Sequence, residues 1–121
     1  MKSKRLEITD RDGRVSAYVE LKLNEKEING NKVKDISITV NGKTATTTEI
    51  DRFLALLDAV YFGTLNDNEV IETQNGMYIV FFKGKDRYGI RVGDKADREA
   101  IFLKRVAFRE LFYWILTQLR N

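Results

Sequence analysis

The sequence predicts an α+β domain built as two successive β-meander-plus-helix (βββα) units related by a pseudo-twofold. Apolar residues recur with a period of two over most of the chain, and Asn-Gly and Asp-Gly pairs punctuate those runs. Each half then closes on a segment of helical period. The 121 residues suffice for one real core but not for two independent ones, so the halves 1–65 and 66–121 are read as one domain.

The first strand is placed at 4–9, where Leu6 and Ile8 alternate with polar neighbours, and Asp12-Gly13 turns the chain. The second covers 14–24: Val15, Ala17, Val19, Leu21 and Leu23 form one face against Arg14, Ser16, Tyr18, Glu20 and Lys22 on the other. After Asn29-Gly30 a third strand covers 32–41, with Ile36, Ile38 and Val40 inward, and Asn41-Gly42 marks another turn. Thr46 followed by Glu49 reads as a capping box. The helix behind it carries Ile50, Phe53, Leu54, Leu57, Val60 and Tyr61 and stops at Gly63.

In the second half, strands are expected at 69–74, 77–84 and 87–92, the first two joined by Asn75-Gly76. Met77–Phe82 is apolar on both faces and reads as a central strand covered on both sides. The last helix is expected to start at Asp97 as N-cap and run to about Leu119. The alternative is a short strand at 101–104 with the helix starting at Val106. The halves share a pattern, Ile38-x-Val40-x-x-Lys43 and Ile90-x-Val92-x-x-Lys95, each ahead of a helix.

Cysteine and histidine are both absent. That excludes disulfides, thiolate nucleophiles, Cys-ligated zinc and the one side chain that titrates near neutrality unaided. Oxygen-rich segments such as Asn66–Glu69 and Asp10–Gly13 lack calcium-loop spacing and are explained as turns. Gly84–Gly89 links two strands instead of opening a helix, so no phosphate-loop or dinucleotide motif is present. Glu69 and Glu72 fall on opposite faces of a strand and make no acid–base pair. No catalytic residue, metal or cofactor is expected. No apolar run approaches membrane-spanning length and no apolar leader follows the basic N-terminus, which predicts a cytoplasmic protein.

Net charge is +3, but its placement is uneven. Between Lys83 and Arg109 nine Lys and Arg face four acids, a local +5. Lys83, Lys85, Arg87 and Arg91, interleaved with Phe82 and Tyr88, supply the cations and rings that hold single-stranded nucleic acid on a sheet. Lys104 and Arg105 extend that candidate surface, and Arg14, Tyr18 and Lys22 offer a matching row on the first meander. A second candidate is Leu111–Leu116, apolar on every side, where Phe112, Tyr113, Trp114 and Leu116 are read as a homo-oligomer contact.

Strands followed by a helix, twice, with meanders before Thr46 and Asp97 and helices at 50–61 and 101–119, resembles the PC4-like and Whirly single-stranded-DNA-binding fold. That fold has four strands in each half, one more than is read here. The resemblance implies DNA held on the sheets and helices that make the oligomer contact. The function expected is non-enzymatic, sequence-tolerant single-stranded nucleic-acid binding by a homo-oligomer. The alternative is a small protein-binding module or inhibitor, of phage or plasmid type, acting through the aromatic-rich last helix.

Overall fold

The computed structural model describes residues 2–73, 76–85, 87–96 and 99–120. Four strands lead into a helix, twice: β1 (Lys2–Thr9), β2 (Val15–Ile28), β3 (Asn31–Val40), β4 (Lys43–Thr47) and α1 (Ile50–Phe62), then β5 (Glu69–Glu72), β6 (Tyr78–Lys83), β7 (Tyr88–Gly93), β8 (Ile101–Leu103) and α2 (Arg105–Arg120). β1–β4 form one antiparallel sheet in chain order and β5–β8 a second. Each half therefore holds four strands where the alternation alone gives three.

The added strands have physical reasons. Asn41 and Gly42 both adopt positive φ, 48° and 88°, the requirement of a two-residue hairpin turn, and such a turn sends the chain straight back along β3. β4 pairs Val40 with Lys43 and Ile36 with Thr47. Thr46 is thus a strand residue, and the capping box does not form. Glu49 occupies the N-cap of α1 with no side-chain bond, while Thr47 Oγ1 accepts from the Glu49 amide at 3.0 Å. At the other end Gly63 closes α1 in the left-handed conformation, its amide bonding back to the Val60 carbonyl. Asp97 lies outside the described residues, but the helix expected to start there starts at Arg105 because Ile101–Leu103 pairs with β7 as β8.

A register shift between Ile8 and Thr9 puts a bulge at the start of β2, and Val15 is exposed, contrary to its place in the alternation. Beyond it Val19 and Leu21 face inward with Leu6 and Ile8 beside them. In this direction the first sheet meets α2, where Lys4 Nζ pairs with Glu110 at 2.9 Å, and β7, which β3 and β4 approach. In the second sheet Ile71, Ile79, Phe81, Ile90 and Ile101 turn inward, and Phe81 meets Phe53 of α1 edge-on at 5.5 Å. One continuous apolar cluster joins both sheets and both helices.

β2 and β3 also run past their neighbours. Among the described residues β1 pairs only up to Leu23 and β4 only down to Ile36. From Asn24 opposite Asp35 out to Ile28 opposite Asn31 the two strands pair with each other alone, as a ribbon. At its root Asn24 Nδ2 donates to Asp35 Oδ1 at 2.7 Å and to Ser37 Oγ at 3.1 Å. No helix of the described residues is long and apolar enough to cross a membrane.

Candidate functional site

The pleat of β6 decides what each face of the second sheet carries. Ile79 and Phe81 point into the core, so Tyr78, Val80 and Phe82 point the other way. Register then fixes their neighbours: Val80 lies opposite Val70 on β5 and Arg91 on β7, and Phe82 lies opposite Gly89, which lies opposite Phe102 on β8. This outer face reaches solvent, with Val70 40% and Phe102 36% exposed. The expectation of a strand covered on both sides holds along its middle, where Ile79, Val80 and Phe81 are all buried, and lapses at Tyr78 and Phe82, which are half-buried.

Phe82 and Phe102 meet edge-to-face across the strand between them, ring centroids 5.3 Å apart. Gly89 makes this possible. A Cβ there would press into Cζ of Phe82 and lie 2.9 Å from the Ile101 carbonyl oxygen, so the rings close over a position that must lack a side chain. The Arg87 guanidinium lies 3.8 Å above the Phe102 ring centre. Phe102 separates two shallow depressions. One, about 350 Å³, is lined by Val80, Phe82, Arg91 and Phe102; the other, about 390 Å³, by Arg87, Phe102, Lys104 and Arg105.

The sequence-derived residues fall into distinct places. Arg87, Arg91 and Lys104 border these depressions, and Arg91 is half-buried within β7. Lys85 is exposed in the β6–β7 turn, and Lys83 is exposed at the end of β6, on the face of Phe81. Tyr88, expected beside Phe82, pairs with Lys83 and so faces the core, where it packs half-buried. Arg105 touches the rim but is committed elsewhere: its Nε donates to the Tyr61 carbonyl at 2.9 Å, tying the start of α2 to the end of α1.

Arg14, Tyr18 and Lys22 sit on the other sheet. Arg14 lies in the β1–β2 turn, its amide bound to Asp10 Oδ1 at 3.0 Å, and the bulge separates it from Tyr18. Tyr18 carries the Arg5 guanidinium 4.1 Å over its ring, and Lys22 Nζ is 3.7 Å from Glu20. Around them the first sheet's outer face is hydroxyl and amide chemistry, with Ser37–Thr46 and Thr39–Thr44 hydrogen bonds at 2.8 and 2.7 Å. It holds both signs of charge and does not continue the basic surface.

On α2, Phe112, Trp114 and Leu116 pack half-buried against the chain's own core, and Tyr113 alone of the four expected contact residues is 53% exposed. The apolar run is thus largely covered within one chain. A cluster that sequence reasoning passes over stands beside it. Arg109 binds Asp58 through Nη1 and the Tyr113 hydroxyl through Nη2, the latter at 2.8 Å. Its guanidinium lies within 4.5 to 5.2 Å of the ring centres of Tyr61, Phe62, Phe112 and Tyr113. The signal is present as aromatic pairs, 61–62 at the end of α1 and 112–113 midway along α2, but no periodicity says that these segments meet.

Among the described residues no group of acidic side chains gathers to hold a metal. Neither a family model, nor a curated protein, nor a solved structure matches this chain.

Proposed function

We propose that the chain binds single-stranded nucleic acid, without catalysis and with little sequence preference, on the outer face of the second sheet. The observation that carries the reading is the pair Phe82 and Phe102, closed over Gly89 and flanked by Arg87, Arg91 and Lys104. Unpaired bases stack on such rings whatever their identity, and guanidinium and ammonium groups neutralise the phosphates between them. A duplex hides its base faces and gains nothing from the rings. The order of four strands and a helix, taken twice, supports the same reading, because the PC4-like and Whirly fold has that strand number in each half. A pseudo-twofold between the halves belongs to this reading too.

Fluorescence anisotropy with labelled single-stranded and duplex oligonucleotides over a salt series is the test. With Lys85, Arg87, Arg91 and Lys104 meeting about four phosphates, log affinity falls against log salt with a slope of about −3. Phe102→Ala weakens binding about tenfold or more through lost stacking, while Lys22→Ala on the other sheet leaves it unchanged. Equal affinity at about 50 and about 300 mM salt would refute the phosphate mechanism.

A protein-binding module is the second reading, and one observation favours it. Phe62 at the end of α1 and Val106 and Tyr113 on α2 are 56%, 65% and 53% exposed, and the rings of Phe62 and Tyr113 both lie against the Arg109 guanidinium. A stoichiometric protein partner retained from lysate after nuclease treatment, and lost on Tyr113→Asp, supports this reading.

A further inference from the structure

We infer that β1 is a self-pairing edge, through which two copies of this chain join into one continuous sheet. The inference stands apart from nucleic-acid binding and uses a different face from α2. β1 is the outermost strand of the first sheet and has no strand on its far side among the described residues. At eight residues it exceeds the other edges, β4 with five, β5 with four and β8 with three. Its free row of amides and carbonyls is a template for another strand, and β1 contains no proline to block one.

The side chains of β1 choose the partner. Leu6 and Ile8 are only half-buried against the core, the state an inward row has when its neighbouring strand is missing. A second β1 related by a twofold axis normal to the sheet would run antiparallel and keep both core faces on one side, so even positions must meet even and odd meet odd. Four such registers pair five or more of the eight residues. Three of them bring like charges together on the axis: Lys4 on Lys4, Arg5 on Arg5, or Glu7 on Glu7. The fourth centres Leu6 on Leu6 of the second copy, sets Ser3 against Thr9, and sets Arg5 opposite Glu7 twice. Opposite charges directly across a strand pair stabilise it and like charges destabilise it, so the charge pattern of β1 admits one register and favours it. Arg5 and Glu7 are both exposed on the outer face, where Arg5 Nη2 lies 3.1 Å from Glu7 Oε2 of its own strand. A second copy would let each of them reach a carboxylate or guanidinium across the junction as well.

The register gives a discriminating experiment, sedimentation velocity on the purified chain without nucleic acid. The wild type is expected at twice the chain mass of 14.0 kDa at high micromolar concentration. Arg5→Glu sets a glutamate opposite Glu7 of the second copy, and Glu7→Arg sets an arginine opposite Arg5. Each variant alone therefore sediments as a monomer. Mixed together, the two variants oppose a glutamate to an arginine at both positions, and the dimer returns as a heterodimer. That recovery separates the interface from folding, since neither a misfolded variant nor a merely structural Arg5–Glu7 pair is rescued by mixing. A monomeric wild type, a dimer indifferent to both substitutions, or two monomeric variants that stay monomeric when mixed would each overturn the inference. Loss of oligonucleotide binding by Phe102→Ala changes none of these outcomes.

Discussion

Replacing Gly89 by alanine adds one methyl group at the position over which Phe82 and Phe102 close. The ideal Cβ presses into the far end of the Phe82 ring and sits 2.9 Å from the backbone carbonyl of Ile101. The ring can swing aside, forfeiting its edge-to-face contact with Phe102, about 0.5–1.5 kcal/mol. The carbonyl cannot yield without displacing β8, and overpacking of that kind costs about 1–3 kcal/mol. Against these stands the gain from replacing glycine in a strand, about 0.5–1 kcal/mol. The net is a destabilisation of about 1–3 kcal/mol, about 4–12 °C in Tm for a domain of this size. Thermal unfolding followed by circular dichroism reads it directly. In a Phe82→Leu background the same substitution costs less, and a double-mutant cycle gives a coupling of about 1 kcal/mol between the two positions. An unchanged or raised Tm for Gly89→Ala would mean that the ring does not lie over Gly89, and the proposed stacking surface would lose its foundation.

Two further outcomes follow from side chains away from that face. Asn24→Ala removes the amide donor from the buried Asp35 carboxylate and is expected to cost about 1–3 kcal/mol in urea unfolding; Asn24→Asp, which opposes two carboxylates, costs more. Arg109→Lys retains the charge but loses the fork shared between Asp58 and the Tyr113 hydroxyl. It is expected to lower stability by about 1–2 kcal/mol, where a simple surface ion pair would show almost nothing.

How far this fold can be read in advance depends on whether each element announces itself in apolar residues. β2, β3, β6 and β7 do, because Val19, Leu21, Ile36, Ile38 and Ile90 are large and alternate with polar or small neighbours, while β6 announces itself as a continuous apolar run around Phe81. β4 does not: its inward residues are Ala45 and Thr47, too small or too polar to register as a strand face, and Thr46–Glu49 mimics a helix start. The Asn41-Gly42 turn holds the missing information, since a two-residue hairpin implies a returning strand. β8 is three residues, Ile-Phe-Leu, and its spacing merges with the helix that follows. That merger hides the main ring of the candidate site, because Phe102 then reads as a helix residue. Tyr88 is misplaced for another reason. It shares parity with Ile90 and Val92, so the alternation of β7 already puts it on the core face, and only its sequence position among the basic residues suggests otherwise. The basic span is legible, but Arg105 and Arg109 are engaged by α1, and only the spatial meeting of the two helices shows it.

The ribbon formed by the outer ends of β2 and β3 has a consequence for how this chain tolerates change. Side chains in strands alternate faces, so a one-residue slip at the Asn29-Gly30 corner would, if transmitted, turn Leu21 and Ile38 out of the core. Between the corner and the first residues held by neighbouring strands lie pairs such as Glu27 opposite Lys32 and Glu25 opposite Lys34, whose backbone ladder, among the described residues, runs only between β2 and β3. An inserted or deleted residue there can be taken up as a bulge before the error reaches Leu23 and Ile36. The ribbon insulates the phase of the core from its own turn, which makes this corner the place where length variation and grafted sequence are best accommodated.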